Sequence, residues 1–200
     1  RALELALEAL DIASANQDSM RLAGHYNSVG SIYLGKHLPE VAAEYYLQGI
    51  AIAEDLGQLG YAAQIYYNLA NAFEIYNDQA SALKYYLLAK EKFEAIDNYT
   101  NHAYLYVGLG PLANHPDTAI QYLERAIFYA HNQETEWVLS SAYLLLGERL
   151  AKKGNINEAL ENYHRGLNYA IAFQDAYYTA SAYDFLGLIF LEEGQLDSAS

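Results

Sequence analysis

The sequence contains no cysteine, and proline occurs only three times, at Pro39, Pro111 and Pro116. The first absence excludes disulfides, thiolate chemistry and cysteine-based metal sites, and it leaves cytoplasm and bacterial periplasm equally open as locations. The second leaves long stretches free to be helical. Basic residues are scarce: 11 Lys and Arg stand against 25 Asp and Glu, giving a formal net charge of -14. A phosphate backbone is repelled by such a surface, which excludes nucleic acid as a partner class. No apolar run reaches the roughly 18 residues that a membrane-spanning helix needs, and no basic-then-apolar leader is read at Arg1, so the chain reads as a soluble segment. Catalytic constellations are lacking as well. The six histidines, His25, His37, His102, His115, His131 and His164, form no i, i+4 metal-ligand pair and no His-Glu-x-x-His run. Gly108-Leu109-Gly110 has no third glycine or basic neighbour for a phosphate cradle. Serine occurs in no nucleophile elbow. The expectation is a protein with no metal, no cofactor and no chemistry of its own. Asn98-Tyr99-Thr100 matches a glycosylation acceptor, which has meaning only in a secreted eukaryotic protein.

What the chain does have is tyrosine, 21 of them in 200 residues, within a composition that is 53% hydrophobic. The tyrosines are periodic. Tyr26, Tyr66, Tyr104, Tyr143 and Tyr183 each open a pattern that continues with Val29, Leu69, Val107, Leu146 or Leu186 and then at once with Gly30, Ala70, Gly108, Gly147 or Gly187. Three residues later stands Tyr33, Phe73, Leu150 or Phe190, with Pro111 as the exception. Offsets of three and four place each set on one helix face. A second pattern follows after a turn: Ala42, Ala82, Ala119, Ala159 and Ala199, then Tyr46, Tyr86, Leu123 or Tyr163, then Gly49, Ala89, Ala126 or Gly166. Ala2, Ala6 and Ala9 fall in the same register. The unit is a pair of helices, A and B, with its small residues separated by 40, 38, 39 and 40 positions. A glycine or alanine at the crossing lets two helices approach, and a neighbouring aromatic fills the space beside it. Gly154, Gly194 and Asn77 are expected to end A helices in the left-handed conformation, and Asp117, Asn157 and Asp197 to cap B helices. The third unit is a residue short between Gly108 and Ala119, and Pro111 predicts a kink or an early end to its A helix.

The Tyr-x-x-Leu-Gly-x-x-Phe run of helix A and the Ala-x-x-x-Tyr-x-x-Ala run of helix B resemble the tetratricopeptide repeat (TPR) family, across essentially the whole chain. The units of about 40 residues resemble its long-helix variety rather than the commoner form of about 34. The resemblance implies an all-α fold, a right-handed superhelical solenoid of antiparallel helix pairs with about five repeats. One repeat domain is expected over 1-200, with units at roughly 1-17 (partial), 18-57, 58-97, 98-133, 134-174 and 175-200 (partial). The unpaired B helix at the start and the unpaired A helix ending near Glu193 read as a segment of a longer protein, whose exposed array ends could pair as a homodimer.

In such an array the A helices line the concave side, so A-helix residues just after the framework tyrosine and just after the small residue are the expected groove. These include Asn27, Ser31, Gln64, Tyr67, Asn68, Asn71, Glu74, His102, Tyr106, Glu148 and Asp184. No Lys or Arg occurs among them, which disfavours capture of an acidic tail. Amides suit the backbone of an extended peptide, and tyrosines offer flat contact area. A neutral or basic peptide lying across Asn27, Asn68, Asn71 and Tyr106 is the expectation. The resemblance implies a sensory or regulatory interaction module of a larger bacterial signalling protein. A specific receptor for a short peptide or small ligand, or an architectural spacer, would use the same array differently.

Overall fold

Seventeen-residue helices and three-residue turns set the rhythm of the chain. The computed structural model describes residues 1–96, 101–132 and 135–199, with side chains described apart from Met20 and 192–199. The Asn98-Tyr99-Thr100 triplet lies outside the described residues. The helices are α1 (Ala2–Ala15), α2 (Ser19–Gly35), α3 (Pro39–Asp55), α4 (Leu59–Ile75), α5 (Gln79–Ala95), α6 (His102–Leu112), α7 (Pro116–Asn132), α8 (Leu139–Lys152), α9 (Ile156–Ala172) and α10 (Ala176–Ala199), with a short 3₁₀ turn at Glu136–Val138. Among the described residues there is no strand, and no helix is long and apolar enough to cross a membrane. The fold is an all-α repeat solenoid of helix pairs.

The chain divides into two compact units, Arg1–Tyr99 and Thr100–Ser200. In the first, α2 pairs with α3 and α4 with α5, and α2 also reaches α4; in the second, α6 pairs with α7 and α8 with α9, while α8 touches both α6 and α10. Within each unit the A helices therefore form a continuous row.

The turns follow a strict rule. Left-handed backbone occurs at Gln17, His37, Gly57 and Asn77 in the first unit and at Gly154 and Gln174 in the second. Each lies 20 residues from the next within its unit. The residue after each one donates its N–H back to a carbonyl five positions earlier, as in Asp18 to Ala13 (2.9 Å), Asp78 to Phe73 (2.9 Å) and Asp175 to Ala170 (2.8 Å). This is the Schellman closure, and it satisfies carbonyls that a helix end would otherwise leave open. Seventeen helical residues plus three in the turn make 20, and two such elements make the 40-residue repeat. The N-caps fall at the turn, two residues earlier than the sequence suggested. Asp18 and Asp78 accept from Arg21 N and Ser81 N, while Asn155, not Asn157, precedes α9. Asp117 lies in the first turn of α7 behind Pro116, and Asp197 lies inside α10. The expected stop at Gly194 is absent, because α10 runs on to Ala199. One internal glycine costs a helix only about 1 kcal/mol and does not end it without a left-handed turn.

The crossings carry the core. A Cβ on Gly30 would lie 2.7 Å from the Tyr46 ring and 3.2 Å from Ala42 O, and one on Gly147 would lie 2.7 Å from Tyr163 and 3.1 Å from Ala159 O. The B-helix glycines sit equally close to the paired A helix: a Cβ on Gly49 would meet Ala23 O at 3.2 Å, and one on Gly166 would meet Ser140 O at 3.1 Å. Between the crossings, Tyr46, Ile65, Leu69 and Tyr86 fill the first unit, and Leu123, Leu144, Tyr163 and Leu186 the second.

The third repeat is where the structure departs from the sequence pattern. Its crossing residue is Gly110, whose Cβ would lie 2.7 Å from Leu123; Gly108 is only half-buried. The framework set is thus Tyr106, Leu109 and Gly110, two positions later than Tyr104, Val107 and Gly108. With Gly110 in place, the crossings at residues 30, 70, 110, 147 and 187 are 40, 40, 37 and 40 apart. The three missing residues come from the end of α6, which stops one residue beyond Pro111 with Ala113 in extended backbone. The early end expected at Pro111 is what the structure shows.

Gly187 lies in the same register, yet a Cβ placed on it would meet nothing within 4 Å. Gly147→Ala is expected to destabilise the protein by about 1–3 kcal/mol through overpacking. Gly187→Ala, with helix propensity alone changed, is expected to stabilise it by about 1 kcal/mol. Urea-unfolding midpoints of the two variants check this, and shifts of equal sign would contradict the crossing assignment.

Candidate functional site

In the first unit the row of A helices presents a ladder of amides. Asn68 Nδ2 on α4 donates to Asn27 Oδ1 on α2 at 2.8 Å, and Gln64 Nε2 donates to Asn68 Oδ1 at 3.3 Å. Gln64 and Asn68 are one helical turn apart, and Asn27 and Asn68 occupy nearly equivalent places in consecutive repeats. All three are half-buried. Beside the ladder opens a cleft of about 770 Å³ between α2 and the start of α4. Arg21, His25 and Ser28 line it from α2, and Gln58, the N-cap residue of α4, and Tyr61 line it from the other side, with Gly24 and Gly60 leaving room between them. Among the described residues, the side chains lining the cleft are basic, amide, hydroxyl and aromatic. The Arg21 guanidinium lies 3.5 Å from Asp18, so its charge is already matched.

Other expected groove residues hold the buried phenols of the B helices. The Tyr46 hydroxyl lies 3.1 Å from Ser31 Oγ. That of Tyr86 lies 2.5 Å from Asn71 Oδ1 and 2.7 Å from Glu74 Oε2, and Tyr67 tilts against the Tyr86 ring. On the A helix, Tyr66 donates to Glu54 Oε1 at 3.2 Å, with Lys92 Nζ 3.3 Å from the same oxygen. Burying a phenol requires such a partner. Burial, followed by the nearby Glu54 charge, pushes the Tyr66 phenol up to about 12; burial and then Glu148 do the same for Tyr163. Tyr86 is raised further, again by burial first and then by Glu74. The position just after the crossing residue reads Ser31, Asn71, Pro111 and Glu148. It is polar wherever helix B carries a tyrosine and apolar where helix B carries Leu123.

Two expected groove residues are core residues. His102 is 0% and Tyr106 1% exposed. Tyr106 stacks on Tyr129 with centroids 5.7 Å apart and accepts from Arg125 Nη1 at 3.2 Å, and the His102 ring lies 4.9 Å from that of Tyr129. The two-residue shift of the third repeat is the cause: counted from Gly108 both face the groove, and counted from Gly110 both fall on the buried face. Tyr106 is therefore a packing residue, and its ring offers no surface for a peptide to cross. Glu148 is half-buried beside Lys152 Nζ at 2.5 Å, and Asp184 is exposed on α10.

No protein-family model matches the chain. Over 125 residues it is 30% identical to the Type II methyltransferase M.CeqI of Rhodococcus hoagii, covering 60% of this chain and 24% of that protein. The chain thus spans about a quarter of that relative's length. Among solved structures it resembles BtubC (BKLC) from P. vanneervenii, at TM-score 0.76 and 27% identity, covering 86% of this chain and 73% of that one. It also resembles a Podosopora anserina kinesin light chain with nearly identical TPR-like repeats, at TM-score 0.64 and 13% identity, covering 87% and 88%. The fold is a TPR-like helical repeat. Within this TPR-like frame the cleft residues Arg21, His25 and Tyr61 were missed by sequence reasoning. The signal was present: Arg21, Gly24, His25 and Ser28 are spaced i, i+3, i+4 and i+7, one face of α2, but the groove pattern counts only positions next to the framework tyrosine and the crossing residue.

Tyr106→Ala is expected to cost about 3–5 kcal/mol, the range for emptying a buried aromatic site. Asp184→Ala is expected to stay within about 0.5 kcal/mol. Chemical denaturation distinguishes the two, and similar small effects would return Tyr106 to the surface. Because the phenols of Tyr66 and Tyr163 are raised, their contribution to stability is complete below pH 10 and is lost as pH rises from there through about 12. An alkaline titration following tyrosinate absorbance and helix signal together is expected to show the last phenols ionising as the helices melt. Helix loss complete below pH 10 would contradict it.

Proposed function

We propose that this chain is a non-catalytic binding module that takes a protein or peptide segment, neutral or basic rather than acidic, on the A-helix face of its first unit. The observation that carries this is the Asn27–Asn68–Gln64 amide ladder beside a cleft to which Ser28, Gln58 and Tyr61 also contribute. Amides offer both donors and acceptors, which suits the peptide backbone, and half-exposed Tyr61 supplies a flat contact. The net charge of -14 disfavours acidic partners at long range. In this reading the module is of the long-repeat TPR variety and serves as the sensory or regulatory portion of a longer bacterial signalling protein. The match to 24% of a larger methyltransferase supports a segment carried within a bigger polypeptide.

Selection of a random peptide library displayed on phage against the purified chain tests the reading. Enriched peptides are expected to be neutral or basic and to lose at least tenfold in affinity for Asn68→Ala and for Tyr61→Ala, both of which keep the wild-type helix signal. No enrichment, or peptides that bind both variants as tightly as the wild type, would contradict the proposal.

A further inference from the structure

We propose that the second unit carries a separate pocket for an organic cation, built around Trp137. The pocket, about 350 Å³, is lined by His131, Glu136, Trp137 and Phe173. It draws nothing from the amide ladder or its cleft, and neither reading depends on the other.

Four features converge on positive charge. First, Trp137 and Phe173 line the pocket while 51% and 44% exposed, so part of each ring is open to a ligand. Aromatic faces, tryptophan above all, attract ammonium and guanidinium groups. The neighbouring tyrosines already use this attraction internally, with Arg165 5.9 Å from the Tyr143 ring and Arg125 5.6 Å from that of Tyr106; among the described residues no cation stands over Trp137 or Phe173. Second, Glu136 brings a carboxylate to the pocket and makes no ion pair among the described residues. Third, two helices end here. His131 is in the last turn of α7, and Phe173 is the C-cap of α9, whose own last turn holds no basic residue. Helix C-termini carry partial negative charge and favour a cation. Fourth, the walls are fixed before any ligand arrives: the Trp137 indole N–H donates to the Tyr104 hydroxyl, and His131 Nε2 lies 3.4 Å from that of Tyr143. A pre-set aromatic wall loses less free energy to ordering when it binds.

Trp137 is the chain's one tryptophan, so its emission reports this pocket alone. The full chain is titrated at constant ionic strength with choline, with Nα-acetyl-lysine amide, with Nα-acetyl-arginine amide and with neutral Nα-acetyl-norleucine amide. A saturable emission change is expected for at least one of the three cations and not for the norleucine compound, and the cation that binds most tightly identifies the source as a quaternary ammonium, a lysine or an arginine. Glu136→Gln is expected to weaken that binding at least fivefold with helix signal unchanged, while Asp184→Asn, elsewhere in the same unit, leaves it intact. The proposal is overturned if no cation gives saturation, if norleucine amide binds as well, if Glu136→Gln binds like the wild type, or if Asp184→Asn weakens binding equally.

Discussion

The close approach of two helices at a glycine or alanine is the constraint from which the rest of this protein follows. A Cβ at Gly30, Gly110 or Gly147 would fall within 2.7 Å of a side chain on the paired B helix, so the hairpin closes this tightly only because that atom is missing. The closeness drives the B-helix tyrosine deep between the two helices and buries its hydroxyl. Leaving a buried phenol without a partner costs about 1–3 kcal/mol, which favours a polar residue on the A helix one step past the crossing. Ser31, Asn71 with Glu74, and Glu148 occupy that zone, and Pro111 is tolerated in the one hairpin whose B helix carries Leu123 instead. Backbone proximity, aromatic burial and polar placement are thus one coupled choice.

The same coupling shapes the surface left for binding. Contact between successive A helices brings side chains of consecutive repeats together, and Asn27 and Asn68 meet because of it. Repetition gives the turns an equal uniformity. A left-handed residue every 20 positions within a unit, glycine at some and Gln, His or Asn at others, keeps the helices between such turns, α2, α3, α4 and α9, at 17 residues and so keeps the crossings in phase. Where the phase breaks, in the third repeat, the helix is shortened by a turn and the crossing still forms at Gly110.

Much of the fold is legible in the sequence because the repeated tyrosine, aliphatic and small residues are in most copies themselves the packing contacts; the fifth leaves Tyr183 exposed and Gly187 open, yet four of the five copies stand in register. The third does not, for a physical reason: Tyr104, Val107 and Gly108 reproduce the spacing of the real set, Tyr106, Leu109 and Gly110, two positions early. Pattern alone cannot separate them; depth of burial does, with His102 and Tyr106 inside as the consequence. The 40-residue spacing from Ala70 to Gly110 and the proline directly after Gly110 were the available clues. The candidate site is legible in its amides, which lie beside the crossing positions. Arg21, His25 and Tyr61 lie a further turn or two away on the same face, and their convergence depends on how α2 and α4 lie together. The Trp137 pocket is not legible at all, since it joins the ends of α7 and α9 through a 3₁₀ turn that no repeat pattern marks.

A double-mutant cycle across one crossing tests the central constraint most directly. The unfolding free energy is measured for Gly30→Ala, for Tyr46→Ala and for the pair together. If the two helices meet at Gly30 with Tyr46 against it, the cost of adding the methyl group largely vanishes once the ring is gone, leaving a coupling of about 1 kcal/mol or more. Additivity within about 0.5 kcal/mol would show that the two residues do not share a contact, and the account would fail at its foundation.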